Sequence, residues 1–413
     1  MLACRMCRGT ELSEIIDFGS MPPADQFLTR AQLHEPVVSY PLVLMSCDAC
    51  GLFQLSYVVP PDILYRHDYP YESSTTQTGR RHWAEFARTT VDRFRLDAND
   101  LVVDIGSNVG VLLDAFKQRG TRVLGVDPAS NIALLAERNG IRTLNEFFGL
   151  DVARQIIAEA GHASVITGTN VFAHVDDLDA FVRAVQVLLN ERGVFIFEAP
   201  YLVNLVNSLE YDTIYHEHLS YLSVRPLIPF FKRFGMDVFD IEQRDIHGGS
   251  FRVFVARAGQ NAVAPIVGEL LRQEATMGLY EERLQRRFAD QVRANRQDLL
   301  WLLRSLKHGG QRIVGVSAPA KGMTLLNYCR IGTETLDFVT EKSTLKIGRY
   351  TPGSNIPVLG DPELLVQTPH VALLLAWNFA DEIMKNLGEF QGRGGKFIIP
   401  IPSPRIVDPA VVS

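Results

Sequence analysis

Cys4-x-x-Cys7 and Cys47-x-x-Cys50 are two close cysteine pairs separated by one loop-sized stretch, the spacing that closes a tetrahedral four-thiolate site around zinc. The N-terminus is therefore expected to be a small metal-stapled module with these four ligands. Glycines follow both pairs, at Arg8-Gly9 and Gly51-Leu52, and suit a knuckle whose backbone N–H groups turn in toward sulfur. Two disulfides or four unconnected core cysteines are the alternatives, and the spacing favours zinc over both. Cys329 is the remaining cysteine. An odd total, with no signal peptide ahead of Cys4, points to a reduced and cytoplasmic chain, which again favours thiolates.

The 413 residues, 46% of them hydrophobic, suffice for more than one packed core. A net charge of −6 disfavours nucleic acid as a partner, so the zinc is expected to be structural. No apolar run approaches the length of a membrane span, the nearest lying at 371–377.

After the cysteines, His67-Asp68-Tyr69-Pro70-Tyr71-Glu72-Ser73-Ser74 is aromatic and polar with little periodicity and reads as a linker or lid, leading into a helical pattern over 80–94. Short apolar segments at 101–105, 122–126, 141–145, 163–167 and 193–198 then alternate with helical lengths, which predicts a parallel sheet. Segments 236–241 and 250–256 are too close for a crossover helix, so the last strand should run antiparallel. Six parallel strands and one reversed strand resemble the class I S-adenosylmethionine-dependent methyltransferase sheet.

The first turn, Asp104-Ile105-Gly106-Ser107-Asn108-Val109-Gly110, has the D-x-G-x-x-x-G form of that family, in which Asp104 faces the methionine end and Gly106, Asn108 and Gly110 lie along the cofactor. Asp127, about twenty residues on at the end of the second strand, is placed to accept both ribose hydroxyls. The glycines alone equally suit a tight turn against a helix. A dinucleotide fingerprint would need glycine where Asn108 stands, which argues against NAD. Asn170 and His174 follow the fourth strand, where the family lines its cofactor and acceptor pocket.

Helical patterns at 264–277 and 280–307 are expected to bridge two domains, and βα alternation restarts with strands at 312–316, 335–340, 371–377 and 396–399. The turn Ser317-Ala318-Pro319-Ala320-Lys321-Gly322 offers N–H donors and a cation to phosphate, and Lys342, Lys346 and Arg349 are further candidates for a diphosphate. A charged loop is as readily a solvated one.

Tyr215-His216-Glu217-His218, inside the segment 211–221, concentrates titratable groups without the spacing of a zinc peptidase. Imidazole accepts a proton near neutral pH and a tyrosine hydroxyl donates to a developing oxyanion, the two roles needed to remove a proton next to a carbonyl. With this cluster the full length resembles the nucleotide-sugar C-methyltransferases of deoxysugar biosynthesis, typified by the dTDP-sugar C-3′ enzymes of antibiotic pathways. The resemblance implies an α/β protein with a zinc-binding module (1–75), a central class I methyltransferase Rossmann-like domain (76–258) and a C-terminal Rossmann-like α/β domain (259–413). It implies active-site roles for Tyr69, His174, Tyr215, Glu217 and His218, a matching turn at His247, and a nucleotide-diphosphate sugar bound to the C-terminal domain, where Ser317, Lys321, Lys346 and Arg349 are the candidate ligands read above. His218 and Tyr215 remain interchangeable as base and oxyanion donor at this level. Methyl transfer to oxygen or nitrogen, and less readily an NAD-dependent oxidation, are the competing readings.

Overall fold

The structure, a computed structural model, describes residues 2–66, 69–70, 77–246 and 248–407. His247, and all of the 67–74 stretch except Tyr69 and Pro70, lie outside the described residues.

Three sheets organise the chain. The first begins with β1 (Leu12–Met21), β2 (Tyr40–Cys47) and β3 (Phe53–Leu55), all antiparallel neighbours. Alternation buries Leu42 and Leu44 on one face of β2, and the register Leu12↔Cys47 delivers a cysteine of the second pair to the edge where the first pair turns. Sequence reading expected a module here but not its sheet.

The second sheet takes β4 (Leu101–Ile105), β5 (Arg122–Val126), β6 (Thr143–Leu144), β7 (Ala163–Thr169) and β8 (Leu189–Pro200). The chain then leaves it: β9 (Ser220–Tyr221) pairs with β3 and so completes the first sheet. It returns as β10 (Met236–Arg244) and β11 (Ser250–Arg257), giving the order β10-β11-β8-β7-β4-β5-β6 with β11 antiparallel to both neighbours. Six parallel strands and one reversed last strand match the expected class I methyltransferase topology. The edge strand β6 is shorter than the segment 141–145 suggested, because only Thr143 and Leu144 find partners on β5. Buried phenylalanines fill the space beside β8, with Phe172 stacked 4.6 Å from Phe197 and 5.6 Å from Phe231.

The third sheet contains β12 (Ile313–Val316), β13 (Val339–Glu341), β14 (Val358–Gly360), β15 (Val371–Leu374), β16 (Lys396–Ile399) and β17 (Arg405–Val407) in the order β14-β13-β12-β15-β16-β17, parallel except for β17. The strand expected at 335–340 starts only at Val339, since the Glu334 carboxylate takes the Gly332 N–H and holds the preceding residues in a turn. No helix among the described residues is long and apolar enough to cross a membrane.

The helical pattern at 280–307 forms the helix Glu282–His308, which touches both the first sheet and the chain just after β16. Near its start Ser46 of β2 donates to Gln285 at 3.1 Å. Farther along, buried Asn295 accepts from the Tyr211 hydroxyl at 2.8 Å and donates to the carbonyls of Pro400 and Pro402, each at 2.9 Å. Asn295→Leu would strand those three partners, and each unmet buried polar group costs about 1–3 kcal/mol. The expected result is a clear drop in the urea unfolding midpoint, larger than that of Asn295→Ser; equal midpoints for wild type and Asn295→Leu would contradict the assigned bridge.

Candidate active site and metal centre

The cysteine sulfurs converge as the spacing required. All four Sγ atoms lie within 4.8 Å of one another, with Cys4–Cys50 and Cys7–Cys47 both at 3.5 Å. A tetrahedral zinc with bonds of about 2.3 Å places its sulfurs about 3.8 Å apart, so the cage fits the ion. Gly9 N–H donates to Cys7 Sγ at 3.5 Å, the inward turn expected of the knuckle. A hydrogen bond from Cys50 lowers Cys4 to about 5, whereas burial pushes Cys47 up to about 11, so holding four thiolates here calls for a cation. Cys329 lies buried elsewhere, with Tyr211 as its neighbour.

Between the first knuckle cysteines, Arg5 is almost wholly buried, 4% exposed. Its guanidinium donates to Asp176 at 2.9 Å, to the Leu55 carbonyl at 2.9 Å and to the Leu219 carbonyl at 3.2 Å. The metal module is thereby fastened to both segments that carry the expected catalytic histidines.

A cavity of about 790 Å³ lies where the three sheets meet. Tyr69, His174, Tyr215, Glu217 and His218 all line it, as do Asp104, Gly106, Asn108, Asp127, Asn170, Ser317, Lys321 and Lys346. Gly110 and Arg349 do not. Gly110 caps the helix Val111–Lys117 at φ 82°, and a Cβ there would stand 2.8 Å from Ile141, so its place is tight packing. Arg349 donates to the Phe27 carbonyl at 3.4 Å. Lys346, although in the lining, is committed to the Ala318 carbonyl at 2.8 Å and to Asp25 at 3.4 Å.

At one end, Asp127 accepts the N–H groups of Asn108 and Ala129, each at 2.9 Å, which aims its carboxylate across the first turn. Among the described residues each oxygen accepts one of these N–H bonds and keeps a further acceptor position, as a ribose diol requires. Asp104 accepts from Thr167 at 2.6 Å; burial, the largest effect, outweighs that bond and raises its carboxyl to about 7. Asn170, at φ 57°, donates its N–H to the Glu198 carbonyl at 2.7 Å and stands in the lining.

In the middle, His218 Nδ1 stands 2.8 Å from the Thr213 carbonyl. A carbonyl only accepts, so Nδ1 carries a proton, and in the neutral ring the lone pair is on Nε2. The ring lies 4.0 Å from that of Tyr215 and 4.9 Å from that of His174. Burial and then the neighbouring Glu217 hold Tyr215 well above the usual phenol range, so its hydroxyl stays a donor. Tyr69 donates to Glu217 Oε2 at 3.1 Å, and burial followed by Asp25 raises the Glu217 carboxyl strongly. Burial, with His218 adding to it, keeps His174 neutral. Its Nδ1 meets the Tyr65 hydroxyl at 3.3 Å.

Sequence reasoning missed Tyr65, Asp25 and Glu341, all in the lining. Tyr65 lay just ahead of the aromatic stretch that drew attention, whereas Asp25 carries no motif and arrives only by docking of the first sheet. At the far end Lys321 sits 4.4 Å over the Trp377 ring; burial lowers its ammonium against the opposing pull of Asp212 and Glu210.

Three family models match in series: a zinc binding domain over 4–65, a methyltransferase domain over 80–241 and a C-methyltransferase C-terminal domain over 245–402. The C-methyltransferase NovU of Streptomyces niveus is 38% identical over 98% of this chain and 96% of its own. A ubiquinone biosynthesis O-methyltransferase of Bordetella avium is 29% identical over 23% of this chain, which spans 41% of that protein. A solved S-adenosylmethionine-dependent methyltransferase of Clostridium acetobutylicum covers 44% of this chain and 92% of its own at 16% identity, with a TM-score of 0.36.

Elemental analysis of reduced protein should find one zinc per chain, and Cys47→Ser should lose it and loosen the first sheet to proteolysis; zinc-free wild type would refute the site. Asp104 supplies a pH test. Its folded value of about 7 lies above the unfolded value of about 3.9, so the native state binds the extra proton and stability falls as pH rises between them. Asp104→Asn should therefore melt progressively higher than the unliganded wild type from pH 5 to pH 8. A difference that does not grow with pH would show that the carboxylate is not penalised.

Proposed function

Since the chain belongs to the S-adenosylmethionine-dependent C-methyltransferase family, we propose that its acceptor is a nucleotide-linked 4-keto-deoxysugar, dTDP-linked and methylated at C-3′. The unit boundaries near residues 75 and 258 belong to the same reading, with the nucleotide on the C-terminal unit. Asp127 would hold the ribose hydroxyls of the methyl donor and Asp104 its methionine end. Bound S-adenosylmethionine supplies an electrophilic methyl group for a carbon nucleophile generated beside the ketone.

The residues of the chain generate that nucleophile. His218 removes the proton next to the carbonyl through Nε2, the nitrogen left with a lone pair by the Thr213 contact. This fixed tautomer is the observation that carries the reading, because it separates the base from the donor: Tyr215, kept protonated by burial, donates to the oxygen on which charge develops. Tyr69 is held by Glu217 and stands on the same wall. Zinc takes no part in the proton transfer and holds the module that closes the acceptor side. A ketone is essential to this chemistry, whereas methylation of oxygen or nitrogen would not need one.

His218→Asn should bind S-adenosylhomocysteine and the nucleotide sugar normally yet lose methyl transfer by at least about a hundredfold, the usual contribution of a general base. In deuterium oxide, with S-adenosylhomocysteine replacing the donor, wild type should exchange the C–H beside the ketone of a dTDP-4-keto-6-deoxy sugar and the variant should not. Exchange retained by His218→Asn would move the base to another group.

A further inference from the structure

The third sheet repeats the cofactor end of the second. In each, the first strand pairs with the next strand on one side and with the fourth on the other: β4 with β5 and β7, β12 with β13 and β15. The last aligned pairs are Ile105↔Val126 and Val316↔Thr340, so the residues that follow, Gly106 opposite Asp127 and Ser317 opposite Glu341, occupy equivalent places. Gly106 and Ser317 both turn left-handed at φ 66°, a conformation that a serine adopts only under strain.

The two acids are held alike. Asp127 accepts from Asn108 in the turn after β4 and from Ala129 two residues on, each at 2.9 Å. Glu341 accepts from Ala318 in the turn after β12 at 2.9 Å, from Ser343 two residues on at 3.2 Å, and from Lys342 at 2.7 Å. Both carboxylates line the one cavity, with the His218 cluster also in its wall.

We propose that Glu341 is the pentose ligand of a second nucleoside-binding end, which receives the nucleoside diphosphate half of the acceptor. This rests on the reading of the acceptor as nucleotide-linked. Among the described residues, two N–H donors occupy Glu341 Oε1 and one occupies Oε2, so of about four acceptor positions one remains, on Oε2. Asp127 keeps two, enough for a ribose diol. One position fits a pentose offering a single hydroxyl, the 3′-OH of a 2′-deoxynucleotide. Lys321, at the start of the helix following the Ser317 turn, supplies the positive charge that a diphosphate needs on the way to the sugar.

Calorimetry with thymidine diphosphate and 3′-deoxythymidine diphosphate tests the assignment on the intact chain. Wild type should bind the 3′-deoxy compound at least tenfold more weakly. In Glu341→Ala the two should bind within twofold of each other, while S-adenosylhomocysteine binds as in wild type and so reports an intact fold. The wild-type comparison stands alone if the variant fails to fold. Equal affinity of the two nucleotides for wild type would overturn the role of Glu341 and leave the nucleotide reading standing. Wild type that binds S-adenosylhomocysteine but not thymidine diphosphate would overturn both.

Discussion

Burial of the polar segment 210–221 between three sheets is the constraint on which the site depends. Buried polar groups must find partners, and here the partners come from every part of the chain. Tyr211 reaches Asn295 on the long helix, Asp212 accepts from Trp377 beyond β15, Glu217 accepts from Tyr69, and β9 adds to the zinc-module sheet. Within the segment, the Thr213 carbonyl fixes His218. No single unit supplies enough partners to hold this stretch in place, so the geometry around His218 is complete only when all three are docked.

That dependence gives the zinc module a part in the site without a part in the chemistry. Arg5 lies between two metal ligands, and its position is set by the knuckle. From there it grips the Leu219 carbonyl, next to His218, and Asp176, two residues beyond His174. Zinc thus orders a loop whose one buried cation locates both histidine segments. Asp25 extends the same logic, since it brings a carboxylate from the chain after β1 to Lys346 in the loop after β13 and adds to the burial that raises the Glu217 carboxyl.

The legible parts of the sequence were those governed by local rules. Strand periodicity located β4, β5 and β16 to the residue, and the short 242–249 connection gave the reversal of β11. The cysteine spacing gave the metal cage. Residues set by long-range packing were not legible: β9 is two residues long and exists only because β3 offers an edge, and Asp25 and Tyr65 enter the cavity by docking. Charge was misleading in a loop. Lys346 and Arg349 look alike in sequence, yet one is buried against Asp25 and the other donates to a backbone carbonyl outside the cavity lining.

The electrostatics of the cavity fit the proposed proton abstraction better than any single residue does. Burial is the leading influence on Tyr65, Tyr69, Tyr215 and Glu217, and in each it favours the protonated form; the same burial favours neutral His174. The wall around His218 is therefore rich in hydrogen-bond donors, whereas the ionic groups Asp127, Lys321 and Glu341 lie elsewhere in the lining. In such a setting an enolate oxygen gains from donors already oriented, which need no solvent reorganisation as charge appears. A base in such a wall needs its accepting nitrogen fixed by the structure. His218 meets that condition, because the Thr213 carbonyl holds a proton on Nδ1, so that in the neutral ring Nε2 is the nitrogen that accepts.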